Sequence, residues 1–366
     1  MKQRMELDRR RFLQLAGSAC LLSMADGPVA WSAERAAPAR FAYIGAEHAI
    51  HQYSISENGR FVLQQTMASA RPVAMAISGG YLYVANGVSQ HGNLPRGSVE
   101  AYTINATNGQ LALKNRVPLS LSATSPADLA VAPNGRSIVV AVHGGGAYNL
   151  LLLEEDGSLG RVTGILKEIG AGPHALQDAA HPSAVKFDRV GRVLTADQGN
   201  DKLSVLTLSD GGLLVAGRCE VTPGSGPGYL ALHPDGRRVY VGHALDGAVS
   251  SYSYDAAGIL EHKQTVGTSV MGAVAALAIH PSGEMLFSAH GNALLAWKLQ
   301  ANGGLAPLPG LEKVHATRLH VTGDGGTLLA LSSDAVWSMK INAAAGLLAT
   351  PVKVASLSKS LSLAIS

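Results

Sequence analysis

Short apolar segments alternate with glycine-containing turns from about residue 40 to the last residue of the chain. In each copy an apolar segment leads into a turn that ends in glycine, and a second apolar segment follows. Clear copies are Ala130–Arg136, Ala184–Arg192, Ala231–Arg237 and Leu277–Glu284. The turn glycines fall roughly 43–56 residues apart, at Gly80, Gly135, Gly191, Gly236, Gly283 and Gly326. This period predicts an all-β protein, a β-propeller whose blades each contain about four antiparallel strands.

Counting the repeats predicts seven blades. The innermost strands are expected at Pro72–Ser78, Ala127–Ala132, Ser183–Asp188, Gly228–His233, Ala275–His280, Arg318–Thr322 and Leu361–Ser366. The second strands are expected at Tyr81–Asn86, Ser137–Val142, Val193–Asp197, Arg238–His243, Met285–His290 and Thr327–Ser332. These segments are continuously apolar or alternate between apolar and polar residues, as strands of stacked sheets do.

The two ends of the repeat region predict how the ring closes. Phe41–Gly45 resembles a second strand but has no innermost strand before it. Ser360–Ile365 resembles the innermost strand Pro72–Ile77 but has no second strand after it. We therefore expect the last strand to pair beside the first in one shared blade, which protects edges that would otherwise promote aggregation.

The amino-terminal residues differ from the rest of the chain. Paired arginines in Asp8–Leu13 precede the apolar run Leu15–Met24 and small residues with proline near Pro28. This order is typical of a twin-arginine export signal, the alternative being a basic start that arose by chance. We predict an export signal over 1–33, a linker over 34–40 and the propeller over 41–366. The mature protein is then expected in the periplasm or secreted, after contact with the twin-arginine export machinery.

Composition excludes several classes of protein. Of 366 residues, 47% are hydrophobic and 42 are glycine, which suits a large core and many tight turns. No internal stretch is long and apolar enough to span a membrane. Loss of the first thirty residues lowers the net charge from +3 to about +1, which argues against a nucleic-acid or membrane-surface binder. Only Cys219 would remain, so no intramolecular disulfide is expected.

Several motifs resemble those of the seven-bladed lactonase family, which includes 6-phosphogluconolactonase and the fungal carboxymuconate cyclase. The motifs are Gly170–Asp188, Ala196–Asp201, Gly226–Gly236 and Gln264–Val266. The resemblance covers the whole chain after about residue 40. It implies a seven-bladed propeller that hydrolyses a lactone with an arginine, a carboxylate and a histidine. Lactone hydrolysis requires an activated water and donors that stabilise the oxyanion.

The family's site residues transfer to this chain only in part. His181 matches the family histidine and Gln177 the family glutamine. Leu176, Gly228 and His290 stand at family arginine positions, and Ala244 stands at the glutamate position. A catalytic function therefore depends on other residues of the same face.

The loops that leave second strands converge on one face of a propeller, where ligands usually bind. Aligned on the turn glycines, these strand ends carry Asn86, His143, Asp197, His243 and His290, and His181 is expected nearby. One interpretation is that the histidines only fill the axial channel. A second is a hydrolytic site in which His181, His243 or His290 is the general base and Asp197 orients it. A third is a divalent transition-metal site; otherwise no cofactor is expected.

Other residues complete the expectations. Gln177, His143, Asn86 and Arg96 are candidate ligand-binding residues, with Arg96 on a long loop that could cap the face. His233 and His280 precede proline in the turn motif and are expected to be turn or surface residues. An exported lactonase would take an unphosphorylated aldonolactone or organic-acid lactone, since phosphorylated intermediates are made in the cytosol. The alternative class is a non-catalytic propeller that binds a ligand or a protein.

Overall fold

The computed structural model describes residues 41–209, 212–268, 272–309, 313–343 and 345–366. Its strands form seven antiparallel sheets, each the blade of a propeller. The predicted fold class and the count of seven blades are confirmed. The described residues form no helix, so none of them is in a helix that could cross a membrane. The predicted export signal and linker lie outside the described residues.

The first four blades follow one another along the chain. The first blade contains β1 (Phe41–Ala46), β2 (Ala49–Ile55) and β3 (Phe61–Ala68), and the second contains β4 (Pro72–Ser78), β5 (Tyr81–Asn86), β6 (Ser98–Ile104) and β7 (Leu111–Pro118). The third contains β8 (Pro126–Val131), β9 (Ser137–Val142), β10 (Ala147–Leu153) and β11 (Leu159–Lys167). The fourth contains β12 (Pro182–Phe187), β13 (Val193–Asp197), β14 (Lys202–Ser209) and β15 (Gly212–Glu220).

The last three blades repeat this arrangement with a less regular outer part. The fifth contains β16 (Pro227–Leu232), β17 (Arg238–His243), β18 (Val249–Tyr254) and β19 (Leu260–Val266). The sixth contains β20 (Val274–Ile279), β21 (Met285–His290), β22 (Ala293–Leu299) and β23 (Leu305–Pro307). The seventh contains β24 (Arg318–Val321), β25 (Thr327–Leu331), β26 (Ala335–Asn342), β27 (Leu347–Leu348) and β28 (Val352–Ser356). Each expected innermost strand begins within one residue of an observed strand.

The carboxy-terminal strand closes the ring, as predicted. β29 (Ser360–Ile365) is the innermost strand of the first blade and pairs antiparallel with β1. Ala42 lies opposite Ile365, and Ile44 lies opposite Leu363. The first and last strands of the chain therefore share one sheet, so the propeller is joined without a covalent link between its ends.

The innermost strands surround a central axis. Each of them contacts the innermost strand of the next blade, all the way round the ring. We call the end at which these strands begin the upper face; the second strands end there. In six blades a β-bulge lies at this end, as between Pro182 and Ala184 or between Pro227 and Tyr229. Bulges redirect side chains and are common next to functional sites.

Polar contacts as well as apolar packing join neighbouring blades. The Tyr43 hydroxyl donates to the carbonyl of Gly109 at 2.8 Å. His233 Nε2 lies 2.9 Å from the carbonyl of Gly283, and His280 Nε2 lies 3.0 Å from that of Gly325. Both histidines are buried. Both lie at turns, as expected, but not at the surface, because each turn packs against the turn of the next blade.

Candidate functional site

Two histidines from neighbouring blades lie together on the upper face. His143 follows β9 of the third blade, and His181 precedes β12 of the fourth. Their rings stack with centroids 4.4 Å apart and planes 9° from parallel. His181 Nδ1 lies 3.1 Å from the carbonyl oxygen of His143, and Nε2 lies 2.9 Å from Oδ1 of Asp178. Both rings are partly exposed, so solvent reaches the pair.

The hydrogen bonds of His181 define the position of its protons. A carbonyl oxygen only accepts, so Nδ1 carries a hydrogen and donates it to His143. Nε2 is then the nitrogen that gains or loses a proton. Once protonated, Nε2 donates to the carboxylate of Asp178, which is 82% exposed. The hydrogen bond from His181 lowers the pKa of Asp178. Burial lowers the pKa of His143, and the nearby charge of His181 lowers it further.

Asp197 forms hydrogen bonds with backbone N–H groups of the site and not with an imidazole ring. Its Oδ1 accepts the backbone N–H groups of His181 at 2.7 Å and of Gly199 at 2.9 Å. The side chain is buried, and burial raises the pKa of Asp197 to about 6. The carboxylate within hydrogen-bond distance of the His181 ring belongs to Asp178.

His243 and His290 lie inside the protein. His243 is 1% exposed, with Nδ1 3.0 Å from the Ser225 hydroxyl and Nε2 2.7 Å from the Ser250 hydroxyl. His290 is fully buried, and its Nε2 lies 2.7 Å from the Ser288 hydroxyl. Burial lowers the pKa of His243, and it lowers the pKa of His290 to about 4. In this structure neither ring is accessible to a substrate or to bulk water.

The register between the second and innermost strands explains why His243 and His290 are buried and His143 is not. Val142, Asp197, His243 and His290 each lie opposite the first residue of their innermost strand. His143 is one residue further along the chain and lies beyond its strand. Successive residues of a strand point to opposite sides. Because His143 is shifted by one residue from the strand-end position, its ring is half-exposed, whereas the rings of His243 and His290 are buried.

Among the candidate ligand-binding residues, Asn86 and Gln177 are buried. Asn86 Nδ2 donates to the Ser69 hydroxyl at 3.0 Å and to Glu100 Oε2 at 3.2 Å, within a polar cluster of the second blade. Gln177 Nε2 donates to the carbonyl of Gln198 and to Oδ1 of Asp201, both at 2.8 Å. Gln177 therefore supports the loop that carries Asp178.

Arg96 lies half-buried in the loop between β5 and β6. Its Nε is inaccessible to solvent and has no hydrogen-bond partner within the described ranges. Its backbone N–H donates to the carbonyl of Leu94 at 2.9 Å. The structure does not bring Arg96 into contact with His143 or His181.

A cavity of about 240 Å³ occupies the upper part of the axis. It is lined by residues of six innermost strands, including Ser183, two residues after His181. Three charged side chains line it. Asp128 accepts from Lys186 Nζ and from the Val185 backbone N–H, each at 3.1 Å. The Arg318 guanidinium donates to the carbonyls of Thr317 at 2.7 Å and Val73 at 3.2 Å, and it has no carboxylate partner among the described residues.

The positions that correspond to the family's arginine and glutamate lie side by side. A Cβ atom added to Gly228 would lie 3.0 Å from Cβ of Ala244. Gly228 lines the axial cavity and contributes no side chain to it. Within the described ranges no group of three or more His, Cys, Asp and Glu side chains could hold a metal ion.

Sequence reasoning missed two residues of this face, Asp178 and Arg318. Asp178 lies inside the Gly170–Asp188 motif, three residues before His181, a spacing that could have drawn attention to it. Arg318 begins an innermost strand, where a charged side chain can face only the axis or a neighbouring blade. Its position at the start of an innermost strand could have identified Arg318 as a residue of the site.

Comparisons with known proteins agree with the fold and with the class of protein. The sequence matches the family described as "Lactonase, 7-bladed beta-propeller" over residues 41–361. It is 30% identical to the 6-phosphogluconolactonase of Bacillus subtilis over 161 residues, 44% of this chain and 46% of that enzyme. It is 27% identical to the 6-phosphogluconolactonase of Pectobacterium carotovorum over 251 residues, 65% of this chain and 69% of that enzyme. The match thus spans about half the length of the Bacillus relative.

Solved structures share the whole architecture. A periplasmic gluconolactonase of Pseudomonas aeruginosa superposes with a TM-score of 0.76 at 19% identity, covering 89% of this chain and 98% of that one. A protein of Lactobacillus plantarum superposes with a TM-score of 0.81 at 19% identity, covering 90% and 99%. At 19% identity, these two similarities show that the fold is shared and show nothing about the activity.

Proposed function

Because the chain belongs to the seven-bladed β-propeller lactonase family, we propose that it hydrolyses a small, unphosphorylated sugar or organic-acid lactone at its upper face. The observation that carries this proposal is the hydrogen-bonded group of His143, His181 and Asp178, in which His181 is two residues along the chain from Ser183 in the lining of the axial cavity. The names of the Bacillus and Pectobacterium relatives support lactone hydrolysis as the reaction.

His181 is suited to act as the general base. With its hydrogen on Nδ1, donated to the His143 carbonyl, the ring takes up a proton at Nε2, and a water molecule reaches that nitrogen when the exposed Asp178 carboxylate turns away from it. As the water oxygen bonds to the lactone carbonyl carbon, Nε2 takes the proton, and Asp178 stabilises the imidazolium. The ring C–O bond then breaks, and the departing alkoxide oxygen takes the proton from Nε2. The product is an open-chain hydroxy acid.

The axial cavity is suited to hold the lactone. Its volume of about 240 Å³ lies below the ~300–1,000 Å³ typical of sites for drug-sized ligands, so it fits a single ring. Arg318 brings a positive charge without a carboxylate partner, which can stabilise the oxyanion that forms on the carbonyl oxygen. Ser183, two residues from His181 along the chain, lines the same cavity.

Turnover of a lactone panel tests this proposal. Purified protein would be assayed by pH-stat against glucono-δ-lactone, 6-phosphogluconolactone and δ-valerolactone, with spontaneous hydrolysis subtracted. We expect turnover of the neutral lactones, and a fall in kcat/KM of about 10² for Arg318→Gln. Arg136→Gln, an exposed arginine on the opposite face, is the charge-matched control. No turnover of any lactone would contradict the proposal and leave a non-catalytic binding propeller.

We also propose that the protein acts in the periplasm, on the basis of the twin-arginine sequence near its amino terminus. Replacing Arg9, Arg10 and Arg11 together by lysine should keep the precursor in the cytoplasm, because the export receptor recognises arginine. Fractionation and immunoblotting of a bacterial host measure this. Unchanged accumulation in the periplasm would contradict the proposal.

A further inference from the structure

The charged side chains that line the axial cavity do not balance one another. Among the described residues they are Asp128, Lys186 and Arg318, which are one carboxylate and two cations. The lining therefore has one positive charge in excess. A charge that is withdrawn from water is costly unless an opposite charge accompanies it, so this excess favours the binding of an anion.

The negative charge of Asp128 is matched within the protein. Its Oδ2 accepts from the Val185 backbone N–H and from Lys186 Nζ, each at 3.1 Å, and its Oδ1 accepts from the Leu129 N–H at 3.0 Å. Asp128 lies on the third blade and Lys186 on the fourth, so the ion pair joins two neighbouring blades. Both oxygens of this carboxylate have donors, and its charge does not offset that of Arg318.

The charge in excess is that of Arg318. Its guanidinium donates to the carbonyls of Thr317 at 2.7 Å and Val73 at 3.2 Å, which are neutral groups. Arg318 belongs to the seventh blade and Val73 to the second, and the first blade lies between them. A side chain can join two blades that are not neighbours only where the innermost strands converge. The guanidinium therefore lies at the axis, and it has further N–H donors for a ligand.

The rest of the lining fits a small ligand with an aliphatic body. The cavity has a volume of about 240 Å³, and Tyr229 lines it with a hydroxyl that forms no hydrogen bond to another described residue. Four leucines also line it: Leu230, Leu277, Leu319 and Leu363. One positive charge in excess matches a monoanion such as a carboxylate better than it matches a phosphate, which carries nearly two charges at neutral pH.

We propose that the axial cavity binds small monocarboxylates, and that the hydroxy acid released by hydrolysis therefore inhibits the enzyme competitively. This inference rests on the proposed function, because the carboxylate is the product of that reaction. The lactone is neutral, whereas the product is ionised at neutral pH. A carboxylate beside a guanidinium without a counter-charge forms stronger hydrogen bonds than a neutral carbonyl does.

Calorimetry with matched ligands and variants tests the inference. The ligands are δ-hydroxyvalerate and pentanediol, which has the same number of carbons and no charge. Arg318→Gln removes the excess charge, and Asp128→Asn increases it with little change of shape. Arg136→Gln, on the opposite face, is the control. Melting curves show whether each variant is folded.

In the wild type and in Arg136→Gln we expect δ-hydroxyvalerate to bind about tenfold or more tightly than pentanediol. This preference should decrease as the salt concentration rises. It should be lost in Arg318→Gln and should increase in Asp128→Asn, opposite effects that general damage to the fold would not produce. Equal binding of the two ligands by the wild type, or the same weakening in both variants, would overturn this inference.

Lactone turnover separates this inference from the proposed function. We expect δ-hydroxyvalerate to inhibit hydrolysis of δ-valerolactone competitively, with an inhibition constant equal to the dissociation constant from calorimetry. Turnover without competitive inhibition would overturn this inference and leave the proposed function intact. Carboxylate binding that follows the charge of the cavity, without turnover of any lactone, would overturn the proposed function and support the cavity as a carboxylate site.

Discussion

The imidazole of His181 lies flat on that of His143, with the ring centroids 4.4 Å apart. The two residues come from neighbouring blades, and the carbonyl of His143 also accepts from Nδ1 of His181. One residue therefore fixes both the plane and the tautomer of the other. The main-chain contact survives any substitution of His143, whereas the stack depends on its side chain.

Removing the ring of His143 should impair a positioned base without unfolding the protein. We expect His143→Ala to lower kcat/KM for a hydrolysed lactone by about 10–10²-fold, because the ring of His181 can then turn. His143→Phe keeps a flat ring and should restore most of the activity. Steady-state kinetics and melting curves measure both. Equal losses in the two variants would contradict a role in stacking.

His243 should matter for stability. His243→Ala removes the imidazole that bonds the hydroxyls of Ser225 and Ser250, and Ser250 keeps only Thr265, so we expect a loss of about 1–3 kcal/mol in the free energy of unfolding. Urea denaturation measures this. The kcat of the folded fraction should equal that of the wild type. A large fall in kcat without loss of stability would instead place His243 in the chemistry.

The low pKa of His290 should make the protein less stable in acid. The pKa of His290 is about 4 in the folded state and about 6.5 in an unfolded chain. The unfolded state therefore binds more protons between these values, and the stability that His290 provides above pH 6.5 is lost as the pH falls towards 4. His320, with a pKa of about 4, acts in the same direction, whereas Asp197, raised to about 6, opposes both.

The variant His290→Gln isolates this contribution. We expect the free energy of unfolding to fall less between pH 7 and pH 5 in His290→Gln than in the wild type. Urea denaturation at both pH values measures the difference, with His48→Gln, an exposed histidine, as control. Identical pH dependence of the three proteins would contradict the assignment.

The fold was predictable because strand and turn patterns are local. β4, β5 and β13 begin and end where the alternation and the turn glycines place them. The closing strand was also predictable, since β29 repeats the pattern of β4 and has no second strand of its own. Each of these inferences needs only neighbours in the sequence.

The candidate site was predictable only in part, because it depends on contacts between blades. His143 and His181 were identified, but strand-end position alone did not separate them from His243 and His290. Burial of a side chain at a strand end depends on the side of the sheet to which it points and on the packing of the next blade. Arg318 reaches the carbonyl of Val73 from 245 residues away, a contact that no local pattern indicates.

Deleting residues 360–366 should destabilise the whole propeller. The deletion removes the innermost strand of the first blade and exposes the edge of β1. We expect aggregation or a melting temperature lower by many degrees, measured by light scattering and calorimetry. Deleting Ser366 alone is the control, because it lies outside β29. A truncated protein that melts like the wild type would contradict closure by this strand.

The most direct test of lactone hydrolysis at this site is the activity of His181→Asn. Removal of a positioned general base typically costs about 10²–10⁴ in rate. We therefore expect kcat/KM to fall by that factor while the melting temperature stays close to that of the wild type. His48→Asn, an exposed histidine of the same face, should keep full activity. Unchanged turnover in His181→Asn, or a loss explained by unfolding, would contradict the assignment of His181 as the base.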